Sequence, residues 1–127
     1  MTITKNVKQN ELQSEQLCGL IINSIQETKG NEIVQLDLRE IPEAPANYFI
    51  ICNGQSTTQV KAIANNLLKT LKDDHAIFPN HVEGQSISKW ILIDFFDVVV
   101  HIFYPDTREF YDIENLWGDA EKESFSN

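Results

Sequence analysis

Two short apolar runs, Trp90–Ile93 and Val98–Tyr104, stand four residues apart in the C-terminal half of the chain. Each is too short to span a bilayer and the right length for a strand. The link Asp94-Phe95-Phe96-Asp97 then predicts a β-hairpin. With Phe95-Phe96 as a two-residue turn, Asp94 faces Asp97, Leu92 faces Val99, Trp90 faces His101 and Ser88 faces Phe103. Side chains alternate along a strand, so these residues share one side of the sheet. The opposite side, Ile91, Ile93, Val98, Val100 and Ile102, is aliphatic and is predicted to face the core. The first side mixes Trp, His and two opposed acids, and like charges across a strand pair are destabilising. It is predicted to be a binding surface. A two-residue turn wants φ > 0 and usually Gly or Asn, so Phe-Phe is a poor choice there.

Upstream, Leu17, Leu20, Ile21, Ile25 and Thr28 form one stripe of a 3.6-residue period, and Lys29-Gly30 supplies a stop. Ile33–Leu38 alternates as a strand. Pro42 and Pro45 mark a connector. Tyr48–Cys52 is continuously apolar and predicts a central strand buried on both faces. Ser56 and Gln59 have capping-box spacing, and a second helix follows with Val60, Ile63, Ala64, Leu67, Leu68 and Leu71 inward. Ala76–Val82, interrupted by Pro79, predicts an edge strand. Beyond the hairpin, Pro105-Asp106-Thr107 predicts a turn, Glu109–Tyr111 a short strand and Ile113–Trp117 a helical turn. The domain is expected over 13–118, between a flexible lead-in at 1–12 and a flexible acidic tail at 119–127. The class is α/β (α+β): a single domain with a mixed sheet of about five strands and helices mainly on one face.

Composition narrows the function. The chain has 127 residues, an ordinary 42% apolar content and a net charge of −9. From Glu83 onward ten acids stand against three bases (net −7), and before it nine against seven (net −2). Binding nucleic acid through phosphates needs a basic surface, so it is disfavoured as the main mode. An acidic half suits a basic protein partner. No signal peptide or membrane-length apolar run is visible, so a cytoplasmic location is expected and no membrane partner. Cys18 and Cys52 are expected as buried thiols.

Catalytic motifs are weak. The turn Asn53-Gly54-Gln55-Ser56 leads a strand into a helix and could hold an anion on its N–H groups, but it is neither a Walker loop nor GxGxxG. It also resembles the opening of nucleotidyltransferase folds, which need paired carboxylates a little downstream. Asp73 and Asp74 are adjacent and would diverge on a strand. His75, His81 and His101 share no metal-ligand spacing, so no metal and no cofactor is expected. Asp94 and Asp97 could be an acid–base pair, but they lie at an exposed hairpin tip. Trp90, among Leu92, Asp94 and His101, has the surroundings of an interface anchor.

Several stretches together resemble the ribosomal silencing factor (Iojap-like) family over about Glu15 to Ala120. They are YFIICNGQS at 48–56 with QVKAIANNL at 59–67, VEG at 82–84, WILID at 90–94, DVVVHIF at 97–103, REFY at 108–111 and IENLW at 113–117. The resemblance implies a nucleotidyltransferase-like topology without the catalytic carboxylates, and no enzyme activity. It implies binding to large-subunit ribosomal protein number fourteen at the intersubunit face, blocked joining of the small subunit, and repressed translation under nutrient limitation. The partner-binding positions it implies are Trp90, Leu92, Asp94, Asp97, His101, Tyr104 and Tyr111. The chain departs from the family pattern at Phe96, where Gly is common before the Asp, and at Asn47, where an acid is frequent. A degenerate nucleotidyltransferase-fold protein that binds a nucleotide, and a homodimeric scaffold using a sheet edge or the Trp90 face, are the alternatives.

Overall fold

The most apolar stretches, Tyr48–Asn53 (β2) and Val98–Phe103 (β5), lie side by side as parallel strands at the centre of a six-stranded sheet. A computed structural model describes residues 3–126, with side chains described from Ser14 onward. Helix α1 (Ile3–Glu27) precedes β1 (Asn31–Asp37), and α2 (Thr57–His75) follows β2. Strands β3 (His81–Glu83) and β4 (Trp90–Asp94) come before β5. Helices α3 (Pro105–Tyr111) and α4 (Ile113–Leu116) and strand β6 (Glu121–Phe125) close the chain. The sheet order is β3-β4-β5-β2-β1-β6, and every pairing but β2 with β5 is antiparallel. Among the described residues no helix is long and apolar enough to cross a membrane.

The helical stripes account for one face. Cys18, Ile21, Ile22 and Ile25 of α1 and Val60, Ile63, Ala64, Leu67 and Leu71 of α2 bury against Ile50, Cys52, Ile91, Ile93, Val98, Val100 and Ile102. Both cysteines are free and buried, and burial pushes each thiol up to about 12. One half of the predicted capping box is present: the Gln59 backbone N–H donates to Ser56 Oγ at 3.1 Å. Gln59 Oε1 accepts from the Gln55 N–H, and its Nε2 donates to the carbonyls of Thr28 and Lys29, tying the end of α1 to the start of α2. At the α1 stop it is Lys29, not Gly30, that takes the left-handed conformation (φ 63). Gly30 is required by packing, since a Cβ there would collide with Ile25.

Four expectations are corrected. The hairpin pairs Leu92 with His101, Trp90 with Phe103 and Asp94 with Val99. The pairing is two residues away from the predicted one, so Asp94 does not oppose Asp97, and the turn falls on Phe96-Asp97, with the Phe95 N–H donating to the Val98 carbonyl. An even shift preserves parity, so the strand residues keep their predicted faces, while Asp97 falls in the turn and meets Ser14 on α1. The acidic tail forms β6: Glu121–Phe125 pairs with β1, and Phe125 packs against the helix-side core. Asn127 lies outside the described residues. The predicted strand at Glu109–Tyr111 is helical, because Pro105 opens α3 at its first position, where a missing N–H costs nothing. At the other end, the backbone of residues 3–12 continues α1 where a flexible lead-in was expected. Met1 and Thr2 lie outside the described residues.

The Phe96 departure has a structural consequence. Phe96 sits at φ 72, and the Asp97 N–H donates to the Phe95 carbonyl at 3.0 Å, a tight turn across a single residue. An L residue pays for that region and glycine does not. Phe96→Gly is expected to raise stability by about 1 kcal/mol after the entropy of the freer unfolded chain is counted. An unchanged or lower urea midpoint would show that the turn is unstrained.

Candidate partner-binding site

The sheet face carrying Trp90 is not bare. Val34, Leu36, Leu38, Phe49, Ile51, Val99 and Phe103 form a second core there. The connector residues Ile41, Ala44 and Ala46 cover part of it, and Ile113, Trp117 and Ala120 cover more. The two long helices still lie on one face. The other face is roofed by the short α3–α4 segment and a loop.

Beneath that roof the predicted residues fall into two groups. Trp90 is half-buried, with its ring centroid 4.9 Å from Phe103 and 4.9 Å from Tyr111. Tyr111 is 5.0 Å from Phe110. These four rings form a row from the core to solvent, because Phe103 is fully buried, Tyr111 is 54% exposed and Phe110 is 80% exposed. Leu92 lies opposite His101, and Trp90 Nε1 donates to His101 Nδ1 at 3.1 Å. Tyr104 sits at the N-cap of α3, half-buried, its N–H on the Lys89 carbonyl.

Asp94 and Asp97 belong to the other end of the hairpin, about 13 Å along the strand from Trp90 at 3.3 Å per residue. Both already have local work. Asp94 Oδ1 accepts the Phe96 N–H at 2.7 Å, and Asp97 Oδ2 accepts from Ser14 Oγ on α1 at 3.1 Å. They support the turn and the α1 contact. The structure therefore brings Trp90, Leu92, His101 and Tyr111 together and leaves the two acids apart from them.

His101 is 4% exposed. Burial holds its pKa down at about 4, so the ring is neutral at neutral pH. Because Nδ1 accepts from Trp90, the ring proton sits on Nε2, which has no hydrogen-bond partner among the described residues. Phe49 stands edge-on 4.5 Å away.

Sequence reasoning did not single out Phe110 and Leu116, the two most exposed large apolar side chains among the described residues, or the clamp made by Arg108. That arginine meets Glu114 through two hydrogen bonds of 2.9 and 3.1 Å, and also reaches the Glu32 carbonyl and Asn53 Oδ1. The arginine bonds hold the Glu114 carboxyl below the usual carboxylate range. The signal that could have found α3 was Pro105 followed by Asp106, a helix-start pattern.

The strand–helix turn at the carboxyl ends of β2 and β5 borders a groove of about 500 Å³ lined by Asn31, Glu32, Asn53, Gln55 and Pro105. The Gln55 and Gln59 N–H groups are spent on the cap, so they are not free to cradle an anion. Among the described residues no cluster of three His, Cys, Asp or Glu could hold a metal ion.

Residues 11–127 match the protein family described as "Ribosomal silencing factor during starvation". The chain is 38% identical over 109 residues to the ribosomal silencing factor RsfS of Halalkalibacterium halodurans, covering 86% of this chain and 92% of that one. A crystal structure of a protein from Chromobacterium violaceum superposes with a TM-score of 0.77 at 35% identity, covering 89% of this chain and 92% of that one. A mouse protein named "Mitochondrial assembly of ribosomal large subunit protein 1" is 36% identical over 73 residues, covering 56% of this chain and 32% of that one.

Proposed function

Because this chain belongs to the ribosomal silencing factor family, we propose that it binds the large ribosomal subunit and sterically blocks joining of the small one. The partner on this reading is large-subunit ribosomal protein number fourteen at the intersubunit face, and the outcome is repression of translation under nutrient limitation. The chain acts by occupying space and not by catalysis, and it does so in the cytoplasm. The name of the mouse relative points to the same subunit.

The observation that carries the reading is the aromatic row Phe103–Trp90–Tyr111–Phe110. Interface anchors are aromatic side chains with a rigid, packed base and an exposed end. Here Phe103 and Trp90 are the base, and Tyr111 and Phe110 are the end. Asp106, Glu109 and Asp112 are exposed on or beside the same helix, which favours a basic partner surface.

Sedimentation of purified subunits with and without the protein tests the reading. The expected result is a loss of joined ribosomes with the protein on the large subunit; unaffected joining at saturating protein refutes it. Tyr111→Ala removes an exposed ring, so the fold persists. Large-subunit affinity is expected to fall about tenfold, near 1.4 kcal/mol. Retention of full affinity would move the interface off the aromatic row.

A further inference from the structure

Building on the proposed docking of the Trp90 face, we infer that His101 touches no partner and instead positions Trp90 by accepting its indole N–H. At 4% exposure His101 has almost no surface to offer a partner. Among the described residues its side chain makes one hydrogen bond, the 3.1 Å contact from Trp90 Nε1. The bond runs diagonally across the hairpin, since Trp90 is paired with Phe103 and His101 with Leu92.

The cost of the histidine is visible on its other nitrogen. Nε2 carries the ring proton and is buried with no partner among the described residues, which is unfavourable because desolvation is not repaid. A phenylalanine among Phe49, Phe103 and Trp90 would fill much the same space without that cost. What a phenylalanine lacks is the Nδ1 acceptor. With the acceptor in place, one orientation of the indole pairs its N–H; turned over, the ring would leave both Nε1 and Nδ1 unpaired. The bond thus selects one pose of an aromatic ring that lies 4.9 Å from both Phe103 and Tyr111, tilted against each. A ring fixed before docking loses less entropy on docking, which shows as affinity.

The test is a double-mutant cycle between His101→Phe and Trp90→Phe, read as affinity for purified large subunits and as the indole N–H resonance of Trp90. His101→Phe is expected to weaken binding about fivefold. In the Trp90→Phe background the same change is expected to cost nothing more. His101→Asn, whose side-chain oxygen lies near the Nδ1 position, is expected to restore most of the affinity and the Trp90 resonance. Ile102→Val, a buried change on the opposite face, is expected to leave binding unaltered. An equal loss in both backgrounds, or a loss matched by Ile102→Val, would show that His101 acts through general packing. A Trp90 resonance unmoved by His101→Phe overturns the inference by itself, without ribosomes. Failure of the unmodified protein to bind large subunits removes the docking reading and this inference with it.

Discussion

Arg108→Ala is expected to destabilise the fold by about 3 kcal/mol, as a buried ion pair does when one partner is removed. For a domain of this size that is a drop of roughly 10 °C in Tm. The arginine is only 11% exposed along its side chain and Glu114 20%, so solvent screens the pair poorly. One guanidinium joins four places: α3, which carries it; Glu114 on α4; the Glu32 carbonyl near the start of β1; and Asn53 at the end of β2. Truncation would leave the Glu114 carboxylate with Lys122 at 3.5 Å as its remaining cation among the described residues. It would also remove the donor to the Glu32 carbonyl at 2.7 Å. Neither α3 nor α4 has a fully buried residue, so the apolar hold on them rests on partly buried side chains. Nor can the segment simply lift away, because Ile113 and Trp117 pack on the second core and would be exposed. Urea denaturation of Arg108→Ala against the parent is the measurement. A loss below about 1 kcal/mol would mean the pair behaves as an ordinary surface ion pair. Arg108→Lys, which keeps the charge but not the two-pronged geometry, is expected to fall between.

That clamp links stability to the proposed binding surface. Phe110 and Tyr111 follow Arg108 on the same short helix, so the exposed end of the aromatic row is held by a polar network and its base by the core. The Arg108 clamp and Phe110 were not legible in the sequence, and Tyr111 is reached there only through the family resemblance. Glu109–Tyr111 reads as a strand because aromatic residues favour strands, and that preference outweighed the weaker Pro105 signal. β6 was invisible for a related reason. EKESF has exposed positions at four of its five residues, so no apolar alternation marks it. It is held by backbone pairing with β1, by Phe125 on the core and by the Lys122–Glu114 ion pair. The hairpin, in contrast, could be read face by face with its turn misplaced. Ile91, Ile93, Val98, Val100 and Ile102 dictate the inner side by parity, and a two-residue change of pairing moves none of them. What parity could not say is that the outer side also meets protein. The connector at 38–47 and α4 cover Val99 and Phe103, leaving Trp90 half-covered and His101 enclosed. Asp94 and Asp97 looked like an exposed acidic pair for a partner. The structure shows them bonded to the Phe96 N–H and to Ser14, so each supports the fold locally.

His101 should make the fold acid-sensitive over a defined window. In the unfolded chain the imidazole takes up a proton near pH 6.5, its ordinary value, while in the folded protein burial delays this to about 4. Between those limits the unfolded state binds more protons than the folded one, so stability rises with pH. The contribution is complete above pH 6.5 and is lost progressively as the pH falls toward 4. Each unit corresponds to about 1.4 kcal/mol, giving a total near 3 kcal/mol. The carboxyls of Asp37 and Glu114, held low mainly by hydrogen bonds from Arg39 and Arg108, act in the same sense but lower on the pH scale, below the ordinary carboxylate range. His101→Asn keeps an acceptor for the Trp90 indole and cannot titrate, so it isolates the histidine. The difference in unfolding free energy between parent and His101→Asn is expected to change by about 3 kcal/mol between pH 7.5 and pH 4, against the parent at the acid end. A constant difference across that range, or a His101 ring that titrates near 6.5 by NMR, would mean the site is wetter than its 4% exposure indicates. The same protonation would fill Nδ1 and displace the Trp90 N–H. Loss of stability and loss of the fixed indole pose should therefore set in together, well below neutral pH, leaving the Trp90 surface unchanged from pH 6.5 upward.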